Sequence, residues 1–527
     1  MKYSHLLLAA ATALCCASLA AMPDWAQSSA SKGLISEVRE FKGTPALYIN
    51  SKLTSQVFAA PYIPDESDFN DFTGSGISVF NIYLRFDWTA PEVYDFRKVD
   101  AKMDRYLKLK PDALFIPRIL LTPGDWWCKD YPEEITMRDD GSPAGMFGKP
   151  CHPSLASEKY RELSHKAMTA FLNHVESKYG TNILGYQVGN GFGGEWLMFN
   201  SFWEIRPGGK RPTKFGVEDY SPPARRAFRV WLRQKYHTNT NLQAAWQNPH
   251  VTFDNAEPPN EKARYSTTHG IFFDPAVSMR VPDYFEFFNQ MVGKVLLENA
   301  AWVKEATHRK KIVGAFYGYL WLNFPNLSVV HTGHLDMAKV FSSRDIDFIA
   351  SPYQYDNKQI GGPDYSQTLP SDVQLHGKLY FNEVDTETHL HQRQWRWGDS
   401  LRNPTNFDET KALLVRDYAY ALTKGFGMWW TDLHGGTYHD AKITGLLKKL
   451  KGIDERYLTA DRASNAEIAV VLDESSYTYF GDGEPFLSPL LTVQKQWQFA
   501  FMGAPWDSYL LSDIANPKMR NYKLYIF

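Results

Sequence analysis

The sequence predicts an α/β protein: a (β/α)8 TIM barrel over residues 35–460, then the beginning of a second α/β domain over 465–527. Two patterns carry this reading. Eight short apolar runs bounded by turn residues look like buried parallel strands, and helical segments alternate with them. A doubly wound open sheet, the competing arrangement, would announce a Gly-rich phosphate loop after its first strand, and none is present there.

The strand runs, in order, are Gln56–Ala60, Ile77–Leu84, Ala113–Leu121, Ile183–Val188, Ile312–Leu320, Ile346–Ser351, Lys378–Phe381 and Gly427–Thr431. Among the helices, Leu155–Tyr179 repeats apolar residues every four positions (Leu163, Ala167, Phe171, Val175) and meets a stop at Gly180. Pro282–His308 carries Phe287, Met291, Val295 and Leu296 along one side. A third helix opens at Asp408, runs to Lys424 and has Gly425 beyond its end. Strand and helix alternating eight times are the arithmetic of a closed barrel. The connection between the fourth and fifth strands is the longest, with Pro-rich patches at Ser221–Pro223 and Glu257–Pro259. Connections of that length on a barrel shape a pocket or a subunit contact. After Ala460 the pattern restarts with a strand at Glu467–Leu472, a helix at Leu490–Phe501 and a strand at Tyr522–Phe527. A parallel sheet ending on its second strand cannot cover its own faces, so the second domain is expected to be truncated.

The 527 residues carry a net charge of −2 and are 44% hydrophobic and 22% charged, which supports a sizeable core and excludes global disorder. Near-neutral charge argues against a nucleic-acid partner. No internal run reaches the roughly 18 apolar residues of a membrane span. Aromatic residues make up 15% of the chain; such rings pack cores and also stack on sugars, and composition leaves both uses open.

Residues 1–21 read as a secretory signal peptide: Lys2, an apolar run from Leu6 to Ala21, and small residues at Ser18, Ala20 and Ala21. The expected location is periplasmic or extracellular. Cys15 and Cys16 raise a lipoprotein anchor as a second choice, weakened by Leu14. Two cysteines remain, Cys128 and Cys151. They either bridge, closing a loop of about 20 residues worth ~3 kcal/mol, or stay free thiols. With His152 they make three ligands, one short of a structural zinc site. No metal and no cofactor are expected.

Catalytic residues of a barrel lie at the C-terminal ends of its strands. Glu195, after the glycine-rich run Gly189–Gly194, and Glu383, closing Leu379–Asn382, occupy such positions on the fourth and seventh strands, read as facing each other. Taken singly, either is more often a solvated surface charge. Together they suit glycosidic cleavage, in which one carboxyl protonates the leaving oxygen and the other attacks the anomeric carbon or activates water. Trp196 is expected as an apolar wall that raises the pKa of an acid at Glu195, and Asp385 and Glu387 are the rivals for the nucleophile. Supporting groups at other strand ends are Arg85 and Asp87, Tyr317 and Tyr319, Tyr353 and Tyr355, and Trp429, Trp430 and Asp432. A cation and a phenol beside a carboxylate would hold it ionised, and a Trp would floor the sugar. Trp126, Trp127, Trp395 and Trp397 either extend a sugar-lined cleft or simply pack.

At these residues the sequence resembles clan A of the glycoside hydrolases, and within it family 42, the β-galactosidase family. The similar stretches are Asp219–Leu232, Ile349–Tyr355, His376–Asp385 and Gly427–Asp432. Gly503–Asp513 is similar to the start of that family's trimerisation domain, of flavodoxin-like or amidotransferase-like fold. The resemblance implies Glu195 as acid/base and Glu383 as nucleophile of a retaining enzyme, and a homotrimer. The clan places Asn directly before its acid; here Gly194 stands there and Asn190 is nearest. Either Asn190 reaches the sugar 2-hydroxyl through a bulged loop, or the acid has moved. The family's zinc cysteine cluster is missing.

The expected function is thus a secreted retaining β-glycosidase acting on terminal β-linked sugars of an oligo- or polysaccharide, β-galactosides first, with Glu195 and Glu383 catalytic. Arg85, Asn190, Trp196, Tyr317, Tyr353 and Trp429 are expected to bind substrate. The alternatives are another sugar (β-mannoside or algal galactan) and a non-catalytic glycan-binding barrel.

Overall fold

The computed structural model describes residues 33–62, 66–145, 149, 151–198, 217–321, 329–355, 358–391, 404–481 and 495–527. Residues 1–21, Trp395, Trp397 and the first part of the 490–501 helix lie outside these.

Eight parallel strands close into a barrel: β1 (Val57–Pro61), β2 (Val79–Tyr83), β3 (Leu114–Leu120), β4 (Gly185–Gly189), β5 (Ile312–Phe316), β6 (Phe348–Pro352), β7 (Leu379–Val384) and β8 (Gly427–Asp432). The ring shuts where β8 pairs with β1, Met428 to Asp432 against Val57 to Pro61. Every strand coincides with one of the eight apolar runs. A helix follows each: α1 (Glu66–Gly74), α2 (Arg97–Leu109), α3 (Glu158–Tyr179), α4 (Arg280–Ala306), α5 (Met337–Ser342), α6 (Pro370–Leu375), α7 (Phe407–Lys424) and α8 (Ala441–Arg456). The chain is a (β/α)8 barrel.

Local chemistry sets the helix ends. Ser157 caps α3 by accepting from the Tyr160 N–H. Asn406, not Asp408, caps α7, and Gly425 ends it in the left-handed conformation at φ +67°. Gly180 stops α3 without leaving the right-handed region. In the long insertion between β4 and α4, Ser221 caps a helix over Pro222–Tyr236 with proline in its first turn.

The bottom of the barrel is plugged. An antiparallel sheet of Ser36–Phe41, Thr44–Ile49 and Lys52–Leu53 folds beneath it, and Leu34 and Leu47 join Phe58, Val79, Ile116, Leu184, Ile312, Phe348 and Leu379 in one buried cluster. Burying each large apolar side chain contributes about 1.5–3 kcal/mol. With that end filled, the polar C-terminal mouth is the open end. Near it, Cys128 and Cys151 are joined in a disulfide with Cα atoms 6.2 Å apart.

The C-terminal residues form a three-stranded parallel sheet, not the expected two: β9 (Ile468–Leu472) lies between β10 (Trp506–Leu510) and β11 (Leu524–Ile526). The apolar pattern hid β10 because its Asp507 is buried as an acceptor, taking hydrogen bonds from Ser464 at 2.6 Å and Tyr522 at 2.8 Å. The sheet belongs to the same compact unit as the barrel, residues Leu34–Phe527. Its docking contacts include Lys424 Nζ donating to the Trp506 carbonyl at 2.6 Å and His376 paired with Asp513 at 3.0 Å. Among the described residues no helix is long and apolar enough to cross a membrane.

Candidate active site

Arg118 is the one charge in β3, Leu-Phe-Ile-Pro-Arg-Ile-Leu, and it is fully buried. An isolated guanidinium there would carry a heavy desolvation cost, so its partners define the site. Its Nη2 lies 3.3 Å from Glu383 Oε1. Its Nη1 donates to the phenol oxygens of Tyr62 (2.5 Å) and Tyr83 (2.8 Å) and to the Gly193 carbonyl (3.2 Å). Tyr62 in turn donates to Glu383 Oε1 at 2.8 Å, and the indole N–H of Trp429 reaches the same oxygen at 3.4 Å. Glu383 therefore sits on β7 among three donors, one from just beyond β1 (Tyr62) and two from the interiors of β3 (Arg118) and β8 (Trp429). Phe316 packs against the guanidinium, 4.4 Å from ring centre to Cζ, and Phe316 and Phe381 flank Trp429.

Glu195 occupies the loop after β4. Its Oε2 accepts from the Tyr319 phenol at 3.0 Å. Its backbone carbonyl takes the Nε2–H of His334 at 2.9 Å, while His334 Nδ1 accepts the Tyr319 N–H at 3.0 Å. Burial drops the His334 pKa to about 3, so the ring is a neutral strut with a fixed tautomer. The loop turns back tightly enough that a β-carbon on Gly193, at φ +62°, would stand 2.6 Å from Glu195 Oε1. The Gly193 carbonyl is held by both Tyr83 (2.7 Å) and Arg118. The loop of one carboxylate is thus fastened to the cation of the other.

The two carboxyl groups feel each other and differ in their surroundings. Burial, followed by repulsion from Glu383, pushes Glu195 up to about 8. Burial also raises Glu383, but Arg118 opposes this, as do the hydrogen bonds of Tyr62 and Trp429. Two interacting carboxyls in one low-dielectric pocket share a proton, and the one beside the cation is the one that stays ionised. Tyr62, Tyr83 and Tyr319 are all raised by burial and remain neutral donors.

The other residues singled out in the sequence are distributed as follows. Arg85 is exposed and lies over the outer face of Tyr83, so the cation at the carboxylate is Arg118 instead. Asp87 pairs with Lys98 on a hairpin. Asn190 spends its amide within the loop: its oxygen takes the Gly191 N–H at 2.7 Å and its nitrogen donates to Tyr160 at 3.1 Å. Trp196 is fully buried behind the loop, its indole bonded to the Val188 carbonyl, and does not wall a cavity. Tyr317 donates to the Gly333 carbonyl and Tyr353 is bonded to Thr386, so both are core residues. Trp429 meets Glu383 by its edge and has no exposed face to floor a sugar. Trp430 is likewise buried, Asp432 accepts the Gly435 and Thr437 N–H groups, and Trp126 and Trp127 pack against Trp88, Tyr131 and Tyr160. Of the rival acids, Asp385 faces Lys358 at 3.3 Å and Tyr355 at 3.0 Å, and Glu387 faces His391 and His434. Tyr62, Tyr83, Arg118 and His334 were not singled out. The lone charge in an apolar strand was the available signal for Arg118; the tyrosines and the histidine gave none.

The profile of glycoside hydrolase family 42, described as beta-galactosidase, matches residues 213–375. Over that stretch the chain is similar to the glycoside hydrolases of family 42. Among similar solved structures is the β-galactosidase of Bacillus circulans sp. alkalophilus, 14% identical with a TM-score of 0.58 over 86% of this chain and 65% of that one. A catalytic mutant of a family 42 β-galactosidase from G. stearothermophilus is 14% identical with a TM-score of 0.60 over 89% of this chain and 67% of that one. The family 42 exo-carrageenase of Bacteroides ovatus is 11% identical, TM-score 0.56, over 91% of this chain and 62% of that one. At these identities the likeness is one of fold, and the chain spans about two thirds of the length of these proteins. No curated protein matches the sequence.

Proposed function

We propose that this barrel is a retaining β-glycosidase, with Glu383 as nucleophile and Glu195 as acid/base. One observation carries the reading: Arg118, Tyr62 and Trp429 converge on Glu383, whereas Glu195 has a phenol and a raised pKa but no cation of its own. The charged carboxylate attacks the anomeric carbon while the protonated one gives its hydrogen to the departing oxygen. In the second half, Glu195 takes a proton from water as the glycosyl-enzyme ester is hydrolysed. Tyr319 steadies the Glu195 anion between the two steps.

The match to the β-galactosidase family favours a terminal β-galactoside as substrate. The likeness to an exo-carrageenase keeps a galactan chain as the second choice. Secretion into the periplasm or medium, and assembly as a homotrimer, belong to the same proposal. An activated 2-fluoro-β-galactoside tests the chemistry directly. It is expected to label Glu383, with β-galactose released first from nitrophenyl β-galactoside and Glu383→Gln inactive. Release of the inverted anomer, or labelling elsewhere, overturns it.

A further inference from the structure

Outside the two carboxylates, one cluster at the barrel mouth has no part in the chemistry above. Glu387 lies on the loop after β7, four residues beyond Glu383, and His391 follows it by four. His434 comes from the loop after β8. His391 Nδ1 is 2.9 Å from one Glu387 oxygen and His434 Nε2 is 3.4 Å from the other. The two imidazoles stack in parallel, 4.5 Å apart at 8°. All three side chains are largely buried, at 11–15% exposure.

We propose that Glu387, His391 and His434 bind a divalent first-row metal ion, zinc above all. Geometry is the first support. Zinc bonds of about 2.0–2.2 Å in a tetrahedron place ligand atoms about 3.4 Å from one another. One atom from each residue here lies within 4.8 Å of the others, so small side-chain rotations bring the set to a metal. The donor types are the second. Two imidazoles and a carboxylate suit zinc, cobalt, nickel and copper, whereas calcium and magnesium want oxygen shells. The third is rigidity. Asp432 accepts the N–H groups of His434 (3.0 Å) and Gly435 (2.8 Å), and Thr388 ties the Glu387 loop to the Thr437 carbonyl. Both loops therefore present their ligands from a fixed frame. Three protein ligands leave a fourth position for water or a hydroxyl group of a ligand in the mouth. The site does not involve the Cys128–Cys151 pair and stands whether or not the glycosidase reading does.

The test uses the full chain, stripped with chelator, dialysed and given zinc alone. Expected are one zinc per chain by elemental analysis, a raised thermal midpoint that equimolar calcium or magnesium does not reproduce, and a tetrahedral absorption spectrum with cobalt(II). His391→Ala and His434→Ala should each weaken zinc about 100-fold or more. If either alanine variant misfolds, His391→Gln and His434→Gln take its place. Failure of the wild-type chain to bind zinc or to give the cobalt spectrum overturns the site, as does undiminished binding in the folded variants.

Discussion

Arg118 on β3 reaches across the barrel to Glu383 on β7, guanidinium to carboxylate at 3.3 Å, with both side chains withdrawn from solvent. In a ring of eight strands, β3 is the one opposite β7, so the residue facing the proposed nucleophile is a cation, and Glu195 approaches from the loop beside it. That arrangement accounts for how two acids in one pocket take different protonation states.

Arg118→Met should lower kcat/KM by about 10²–10³-fold, the scale of losing one preorganised charge partner. Without the guanidinium the Glu383 pKa moves further up, because the strongest opponent of burial is gone. The acidic limb of the pH–rate profile therefore shifts to higher pH. Denaturant unfolding should show a loss of about 3–5 kcal/mol, since a buried partner is left uncompensated. An unshifted acidic limb would separate Arg118 from Glu383 titration.

The barrel was legible because parallel strands covered on both faces read as apolar runs, and all eight did. Glu383 stood out for the related reason that a carboxylate closing an apolar strand needs a purpose, and Glu195 for the glycine-rich turn before it; the structure brings the two close enough to repel each other. Of their partners, Tyr319 and Trp429 stood out by their place on the fifth and eighth strands, but Tyr62 and Tyr83 did not: they come from two other strand ends, and in a chain with 29 tyrosines nothing local marks them. Arg85 drew attention as the charge at a strand end, yet the strand finishes at Tyr83, and beyond it the chain leaves the alternation, so that Arg85 is exposed with its guanidinium over the Tyr83 ring. Asn190 and Trp196 were misplaced because a loop with glycines at positive φ reverses direction in a way that spacing does not reveal.

Tyr319→Phe removes the donor to Glu195 while leaving the His334 strut in place, because that strut uses backbone atoms of both residues. The lost hydrogen bond favoured the ionised form, so the Glu195 pKa rises and the basic limb of the profile moves to higher pH. A hydrogen bond to a charged group is worth about 1.5–3 kcal/mol, which predicts at least a tenfold fall in kcat. Equal loss at both limbs without a shift would contradict this assignment.

Glu195 also makes stability depend on pH. Its folded pKa of about 8 lies above that of an unfolded glutamate, about 4.3. Between those values the native chain holds a proton that the unfolded chain has released. Stability is therefore full below the lower value and falls as pH rises, by at most about 1.4 kcal/mol per unit for one group. Glu195→Gln removes that titration. Urea unfolding at pH 5 and pH 8 should differ less in the variant than in the wild type, and an unchanged difference assigns the pH dependence to other groups.

Gly193→Ala tests whether the loop's shape, and not only its residues, sets the acid. The substitution has two costs: a left-handed φ of +62°, and a β-carbon 2.6 Å from Glu195 Oε1. Relief requires either a shift of the carbonyl held by Arg118 and Tyr83 or a swing of the Glu195 carboxyl. Backbone strain of this kind costs about 1–3 kcal/mol. Gly76→Ala supplies the comparison, since Gly76 has φ +83° with nothing within 4 Å of its added carbon. Both variants should lose similar stability in thermal unfolding. Only Gly193→Ala should lose activity, by about 100-fold for a displacement near 1 Å at the reacting group. Equal activity in the two would mean that the loop tolerates the carbon by moving away from the pocket, and that Glu195 is not held where its proton is delivered.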